Sequence, residues 1–243
     1  MYIIKLNAID STNTYLKEMV SAGIPDDYTV VVTESQEEGR GQMGTMWQAE
    51  KGKNLTVSVF KRLPNLKIEQ QFYISMVMAL AILKTLEALE IPKLSIKWPN
   101  DILSADQKIC GILIENVIKN NALKGTVLGF GLNVNQKFFD NLPQASSLTL
   151  LTGVTYDKDE ILSKILKNLQ FYFEKLESRK FSEIKEEYET LLFRKEKPST
   201  FQLLDNEMFS GIIKGVSEDG KLNVWTEKDI IKSFNLKEVK LLY

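Results

Sequence analysis

The sequence predicts an α/β chain in which strands and helices alternate, followed by a small β-barrel. Up to about residue 193, runs of β-branched and apolar residues alternate with stretches of helical periodicity. From residue 200 onward only short strands are predicted, and Asp219-Gly220 between two of them is a strong hairpin signal. We therefore predict two domains, 1–193 and 194–243, with a charged segment around Pro198 near the boundary.

The individual elements follow from local signals. Residues 10–13 supply N-caps for a helix that ends at Gly23, and Asp157 with Glu160 forms a capping-box pattern. Asn120-Asn121 tolerates positive φ and predicts a hairpin. The predicted strands of the first domain are 2–6, 29–33, 55–60, one ending at 97–98, 112–118 and 123–128. The other predicted helices are 69–89, 158–178 and 181–192. The predicted strands of the second domain are 200–204, 208–216, 221–226, 230–235 and 239–242.

Composition excludes several classes of protein. The 31 basic residues are balanced by 32 acidic ones, and a net charge of −1 argues against a large nucleic-acid surface. The absence of histidine removes Ser-His and Cys-His nucleophile pairs and histidine zinc sites. A single cysteine, Cys110, fits a reducing compartment. With no signal-like leader and no apolar segment long enough to span a bilayer, we predict a soluble cytoplasmic protein without a membrane partner.

One twenty-residue stretch, IKWPNDILSADQKICGILIE, carries the densest chemistry. Its proline ends the preceding strand, and the short polar side chains of Asn100 and Asp101 favour a turn. After a second polar break, Lys108 enters an apolar strand with a glycine in its interior, where a ligand or another backbone often comes close. The simplest alternative is a charged hairpin end. We favour an anion site, to which Lys97 also contributes.

The segment from 34 to 54 has four glycines and no apolar periodicity, which predicts a long loop that is functional or disordered. Arg40 lies between Gly39 and Gly41, an arrangement that suits a flexible segment closing over a phosphate. The GxxxxGK[ST] spacing of a P-loop is absent. Trp47 is either an aromatic platform for a base or an apolar plug that pins the loop, and composition favours neither role. For residues 11–13, helix capping is favoured over ligand contact.

Five motifs give the chain a family resemblance. They are DSTN at 10–13, Gln36 before GRGQMG and Trp47, KWPNDI at 97–102, the step from Lys108 to Gly111, and GFGLN at 129–133. With these motifs in this order, the chain resembles the biotin–protein ligases, also called biotin–[acetyl-CoA-carboxylase] ligases, over nearly its whole length. The resemblance implies a mixed, largely antiparallel sheet flanked by helices, with an SH3-like barrel at the C-terminus.

The resemblance also implies a two-step reaction. Biotin and Mg-ATP give biotinyl-5′-adenylate and pyrophosphate, and the biotinyl group then passes to a lysine of a biotin carboxyl carrier domain. The first step needs positioning and charge neutralisation more than a base, because the carboxylate of biotin is already a nucleophile. The cofactors and substrates implied are therefore ATP, biotin and Mg²⁺.

Roles for single residues follow from the same resemblance. Asp101 either holds Mg²⁺ or helps deprotonate the incoming lysine, and both roles stay open. The loop is less basic than is usual in the family, so its grip on phosphate depends more on Arg40. The catalytic residues implied are Lys108, Arg40, Lys97 and Asp101. The biotin-binding residues implied are Ser11, Thr12, Asn13, Gln36, Gly39, Arg40, Gly41, Gln42, Lys108, Gly111 and Gly131. The ATP-binding residues implied are Arg40, Trp47, Asn100, Asp101, Lys108 and Asn133.

Three alternative functions were weighed. Lipoate ligases and octanoyltransferases share the outline of the fold, but their histidine-bearing motif is absent here. A non-catalytic biotin or nucleotide binder would keep the pocket and lose the lysine or the loop, and both are present. A DNA-binding repressor is disfavoured by charge, and because DSTN begins at residue 10 we predict no helix-turn-helix domain before it and no DNA partner. A homodimer is a candidate assembly.

Overall fold

Two β-sheets organise the chain, and the structure, a computed structural model, describes residues 1–243 with the exception of the side chain of Met43. The strands are β1 (Tyr2–Leu6), β2 (Thr29–Thr33), β3 (Leu55–Arg62), β4 (Leu94–Lys97), β5 (Asp101–Ser104), β6 (Gln107–Lys119), β7 (Ala122–Leu132), β8 (Pro198–Leu203), β9 (Met208–Val216), β10 (Leu222–Thr226), β11 (Ile231–Phe234) and β12 (Val239–Leu242). The α-helices are α1 (Thr12–Ala22), α2 (Phe72–Glu87), α3 (Leu148–Thr152), α4 (Lys158–Glu177) and α5 (Phe181–Thr190).

The first sheet has seven strands in the order β1-β2-β3-β7-β6-β5-β4. β1 and β2 pair in parallel, and the other neighbouring strands of this sheet pair antiparallel. The expected mixed, largely antiparallel sheet with flanking helices is therefore confirmed. On one face, Leu16 of α1 packs into a small buried cluster with Val31, Phe60 and Val127. The other face is covered by α2, which in turn packs against α4 and α5.

The flanking helices form where local signals predict them. Ser11 Oγ accepts a hydrogen bond from the backbone N–H of Thr14 at 3.4 Å, and α1 ends at Gly23. Asp157 caps α4, whose apolar residues recur on one face and are buried. α2 is apolar on most sides, which is typical of a helix enclosed by other elements. Among the residues described, no helix is long and apolar enough to cross a lipid bilayer.

Four details differ from the sequence-based expectation. α2 begins at Phe72 and not at residue 69, because Ile68–Gln70 forms a 3₁₀ turn. The turn after Lys97 occupies residues 98–100, so Asp101 already opens β5. β7 continues to Leu132, so the glycines of GFGLN lie within a strand and not at its end. α3 was not predicted, since five residues are too few to show a helical period.

The strands after Pro198 form a second, five-stranded antiparallel sheet in the order β11-β10-β9-β8-β12. The predicted turn at Asp219-Gly220 lies between β9 and β10, and Gly220 has φ +89°. Several hydrogen bonds connect this part of the chain to the body, and two of them come from β9 and the turn that follows it. Trp98 Nε1 donates to the carbonyl of Gly220 at 2.9 Å, and the backbone N–H of Val216 donates to Glu189 at 2.9 Å.

Candidate active site

Two cavities meet beside the loop that precedes β3. The first cavity has a volume of about 260 Å³ and the second about 410 Å³. Met46, Trp47, Asp101 and Lys108 line both, so these four residues form the junction between the cavities. The first cavity also takes in the predicted residues Ser11, Thr12, Asn13, Gln36, Arg40, Gly41, Gln42, Asn100, Gly111 and Gly131. The second also takes in Lys97 and Asn133.

Lys108 and Asp101 face each other at this junction. They lie on adjacent antiparallel strands, β6 and β5, and a register shift after Ile102 in this pair marks a bulge. Lys108 Nζ lies 2.6 Å from Asp101 Oδ1 and 5.6 Å from the centre of the Trp47 ring. The predicted turn-and-lysine pattern therefore places one ammonium where both cavities open.

Lys97 is the second, half-buried cation of the site. Its Nζ lies 4.7 Å from the centre of the Tyr243 ring, which also lines the second cavity. Burial lowers the pKa of Lys97, and the nearby charge of Lys108 lowers it further, while Asp101 acts in the opposite direction. An anion in the second cavity would stabilise the Lys97 ammonium, because the opposite charge offsets the free-energy cost of burying that ammonium.

Trp47 fills a slot between two strands that glycine makes possible. A Cβ added to Gly131 would lie 2.2 Å from the Trp47 ring, and one added to Gly111 would lie 3.0 Å from it. The sequence predicted close approach at these glycines, and the group that approaches is the indole. The backbone N–H of Trp47 donates to the carbonyl of Gly39 at 2.9 Å. Two roles were considered for Trp47, and this packing supports the second, an apolar plug that pins the loop.

The loop itself folds back at its glycines. The backbone N–H of Gly41 donates to the carbonyl of Thr45 at 2.7 Å, and Arg40 pairs with Met46 in a short β-bridge. The Arg40 side chain is 58% exposed and lies 3.8 Å from Glu38. Gly39 lies at the base of the loop, against Trp47. Unlike the other predicted site residues, it lines neither cavity. Arg40 is thus near the first cavity without being enclosed by it.

The amides predicted for the nucleotide side separate in the structure. Asn100 Nδ2 donates to the carbonyl of Ile112 at 2.8 Å, which ties the turn to β6, and Asn100 lines the first cavity and not the second. Asn133 lines the second, where its Nδ2 donates to the carbonyl of Ser146 at 2.9 Å. The Oδ1 of Asn133 is buried without a partner among the described residues, so it offers an acceptor to a ligand.

Several residues at the site were missed by sequence reasoning. Ser58 and Glu115 contact Asn13 from β3 and β6, and Tyr243 reaches Lys97 from beyond β12. Nothing in their local sequence distinguishes them from ordinary strand residues. They reach the site only because the sheet order brings distant segments together.

Comparison with known proteins identifies the family. A profile described as the biotin/lipoate A/B protein ligase family matches residues 6–133, more than half of the chain. The chain belongs to this family. A relative, the bifunctional ligase/repressor BirA of Escherichia coli strain K12, is 30% identical over 241 residues, covering 97% of this chain and 73% of that protein. Another family member, the biotin--[acetyl-CoA-carboxylase] ligase of Mycobacterium tuberculosis, is 33% identical over 163 residues, covering 66% of this chain and 59% of that ligase.

A solved structure of the family shares the whole fold. The biotin protein ligase from Aquifex aeolicus in complex with biotin and ATP matches with a TM-score of 0.82 at 29% identity. The match covers 99% of this chain and 98% of that one, so it includes both sheets. The resemblance to biotin–protein ligases drawn from the motifs is therefore confirmed.

Proposed function

We propose that this chain activates biotin with ATP to biotinyl-5′-adenylate and transfers the biotinyl group to a lysine of a biotin carboxyl carrier domain. One observation carries the proposal: Lys108, paired with Asp101, lies where the two cavities join. A carboxylate entering from the first cavity and a phosphate entering from the second would meet at the same ammonium. The relatives named as biotin ligases and the related complex with biotin and ATP support this assignment.

In the first step, a carboxylate oxygen of biotin attacks the α-phosphorus of ATP and pyrophosphate leaves. No proton needs to be removed, which agrees with a chain that has no histidine. Negative charge grows on the phosphoryl oxygens, and Lys108 and Lys97 stabilise it from the junction and from the second cavity. Arg40 on the loop closes over the same anions and excludes water from the mixed anhydride.

Mg²⁺ fits this site as a companion of the nucleotide. The described residues contain no cluster of three or more His, Cys, Asp or Glu side chains placed to hold a metal. Mg²⁺ commonly binds through one or two carboxylates together with substrate phosphates, and Asp101 is the carboxylate at the junction. The metal would supply further neutralisation of phosphate charge.

In the second step, the neutral amine of the acceptor lysine attacks the biotinyl carbonyl carbon and AMP leaves. The new amide then sheds a proton, for which Asp101 is the acceptor at hand. A groove of about 620 Å³ runs from Lys97 and Asp101 to the second sheet and offers the acceptor lysine a path. The carrier domain is thus the partner of this surface.

The division into domains is part of the proposal. We assign residues 1–193 to a catalytic domain and residues 194–243 to an SH3-like domain, because the chain passes from the first sheet to the second between α5 and β8. The cytoplasmic location rests on the single cysteine, Cys110. A homodimer stays a prediction that sedimentation at increasing protein concentration would test.

The activity is tested by exchange of labelled pyrophosphate into ATP. We expect exchange to depend on biotin, and incubation with biotin, Mg²⁺, ATP and a carrier domain to add one biotinyl group, measured by mass spectrometry. Lipoate and octanoate serve as matched acids without the ureido ring. Exchange driven by either of these and not by biotin would contradict the proposal.

A further inference from the structure

A line of hydrogen-bonded side chains runs from the protein surface to the wall of the first cavity. At the surface, Lys17 Nζ lies 2.7 Å from Glu115 Oε1. Asn13 Nδ2 donates to Glu115 Oε2 at 2.9 Å and lies 3.4 Å from the carbonyl oxygen of Leu113. On its other side, Asn13 Oδ1 accepts from Ser58 Oγ at 2.5 Å, and Ser58 is fully buried.

The line ends at two residues that line the cavity, Thr12 and Gln36. Ser58 Oγ lies 2.7 Å from Thr12 Oγ1, which lies 3.0 Å from Gln36 Oε1. The backbone N–H of Thr12 donates to the same Gln36 oxygen at 2.8 Å. Because only an oxygen accepts from that N–H, Gln36 Oε1 is fixed as an acceptor.

Glu115 sets the direction of the line. A carboxylate only accepts, so Asn13 turns its NH₂ toward Glu115 and its oxygen toward Ser58. Three oxygen–oxygen contacts then remain, between Asn13 and Ser58, Ser58 and Thr12, and Thr12 and Gln36. Two hydroxyl protons are available for them, one from each hydroxyl. One of the three oxygen–oxygen contacts therefore has no hydrogen atom between its two oxygens. The cavity wall thus has one hydrogen-bond donor fewer than its acceptors could use.

The opposite orientation of the Asn13 amide would remove this shortage. Its NH₂ would donate to Ser58, Ser58 to Thr12, and Thr12 to Gln36, so that every contact would have a proton. That orientation places Asn13 Oδ1 against the Glu115 carboxylate, where two acceptors repel. The Asn13 amide packs directly against Gly129, where an added Cβ would lie 2.2 Å from Asn13 Oδ1.

We propose that Glu115 is a positioning residue that keeps this wall rich in acceptors, so that the cavity selects a ligand bringing an N–H donor to Thr12. The inference rests on the proposed function and deepens it. The ureido ring of biotin carries two N–H groups, whereas the dithiolane ring of lipoate carries none. A carboxylate outside the cavity thus determines which ring the cavity accepts.

Glu115→Gln tests the proposal, because a glutamine keeps the size of the side chain but both donates and accepts. Both orientations of Asn13 become available, and we expect the dissociation constant of biotin to rise about tenfold. The kcat of biotin-dependent pyrophosphate exchange should stay within twofold, and the thermal midpoint should not change. Lys17→Met is the matched control, since it breaks the ion pair and leaves the carboxylate, so its dissociation constant should stay within twofold of the wild type.

A double-mutant cycle measures the coupling between Glu115 and Asn13 in biotin affinity, which a purely structural role of Glu115 would not produce. In an Asn13→Ala background, Glu115→Gln should add nothing to the loss of biotin affinity. An unchanged dissociation constant in Glu115→Gln, an equal rise in Lys17→Met, or full additivity in the cycle would each overturn the inference. If the wild type binds lipoate and not biotin, the proposed function fails as well, so the wild-type arm separates the two failures.

Discussion

At the scale of single residues, Lys108 is held by an ion pair with Asp101, and a phosphate of a bound nucleotide would compete for the same ammonium. Its side chain is 35% exposed and that of its partner, Asp101, is 15% exposed, so water screens the pair only in part. A phosphate entering the second cavity competes with Asp101 for the same ammonium. In the proposed reaction, the charge of Lys108 would therefore be available where the phosphoryl transition state develops.

We predict that Lys108→Ala lowers the rate of adenylation by about two to four orders of magnitude while weakening biotin binding less, because the lost charge acts mainly in the transition state. Lys108→Arg should not restore the rate fully, since a planar guanidinium does not replace a compact ammonium. Single-turnover adenylate formation and equilibrium biotin binding measure the two effects.

Lys164, which is paired with Glu160 on the surface of α4, supplies the control for that experiment. Lys164→Ala should leave both measurements unchanged. If adenylation in Lys108→Ala stays within a few-fold of the wild type, Lys108 is only a lysine at the end of a hairpin.

Lys97 links nucleotide binding to pH. Burial, with the charge of Lys108, lowers the pKa of Lys97 in the free protein. Bound phosphates favour the charged form and raise that pKa, so between the two values binding takes up a proton. Affinity for ATP should then be highest below the free-state pKa and fall as the pH rises through it. In the free protein, Asp101 and the Tyr243 ring face the same ammonium.

Calorimetric titration of ATP in buffers with different ionisation enthalpies measures this proton uptake. We expect uptake at alkaline pH in the wild type and a marked decrease in Lys97→Met. Equal uptake in the two proteins would assign the proton to another group.

At the scale of elements, the loop between β2 and β3 has an anchored base and an exposed tip. Glu37 and Glu38 donate from the backbone to the carbonyls of Ile9 and Asp10 at 3.0 and 2.9 Å, and the Trp47 ring fills its slot over the glycines. Between these anchors, Arg40 is mostly exposed. A glycine-rich tip loses much backbone entropy on ordering, so it needs an anion to hold Arg40 in place.

We predict that residues 37–47 become protected from hydrogen exchange when biotin and ATP bind, with the largest gain between 40 and 46. Arg40→Ala should weaken ligand binding and speed release of the adenylate, because the lid no longer closes over its anion. Amides of residues 48–54 in the same connection serve as the internal control. Equal protection in both states, with unchanged release in Arg40→Ala, would make the loop a rigid scaffold.

At the scale of the whole molecule, the second sheet docks through a glycine. Gly220 has φ +89°, and a Cβ added there would lie 2.2 Å from Cγ of Phe72, at the start of α2. Its carbonyl accepts from Trp98, which directly follows Lys97. The docking of the second sheet is therefore coupled to the strand that carries a predicted catalytic lysine.

We predict that Gly220→Ala destabilises the protein more than Gly153→Ala. Gly153 has φ +75° with nothing within 4 Å of an added Cβ, so that variant carries only the left-handed strain, of about 1–2 kcal/mol. Gly220→Ala adds a collision with Phe72 close to the backbone, and we also expect the KM for ATP to rise as Trp98 shifts. Denaturant unfolding compares the free energies, and equal losses in the two variants would contradict this docking.

The charge of the molecule predicts its behaviour toward nucleic acid. With a net charge of −1, we expect no sequence-specific binding to operator DNA. A gel-shift experiment at physiological salt, with and without biotin, measures this. A shift that depends on both biotin and the DNA sequence would contradict the prediction.

Much of the fold was predictable because the responsible signals are local. Ser11 and Gly23 delimit α1, and Asn120-Asn121, both with φ 54°, form the predicted hairpin between β6 and β7. α3 escaped prediction because it has only five residues, and its cap, Ser147, lies in a segment without periodicity. For the site, the glycine loop, Lys108 and Asp101 were predicted as a group. The structure brings Lys108 and Asp101 to one junction, while Arg40 and Gly41 line only the first cavity beside it.

The sequence by itself determined the types of element, the charged groups of the candidate site and the resemblance to one family, since each depends on residues close together in the chain. Only the tertiary structure decided which groups meet across the sheet. Asn13 lies between Ser58 and Glu115, and Tyr243 lies over Lys97, because strand order and the docking of the second sheet bring distant segments together. Such pairs leave no periodic trace, since each partner satisfies only the pattern of its own strand or helix.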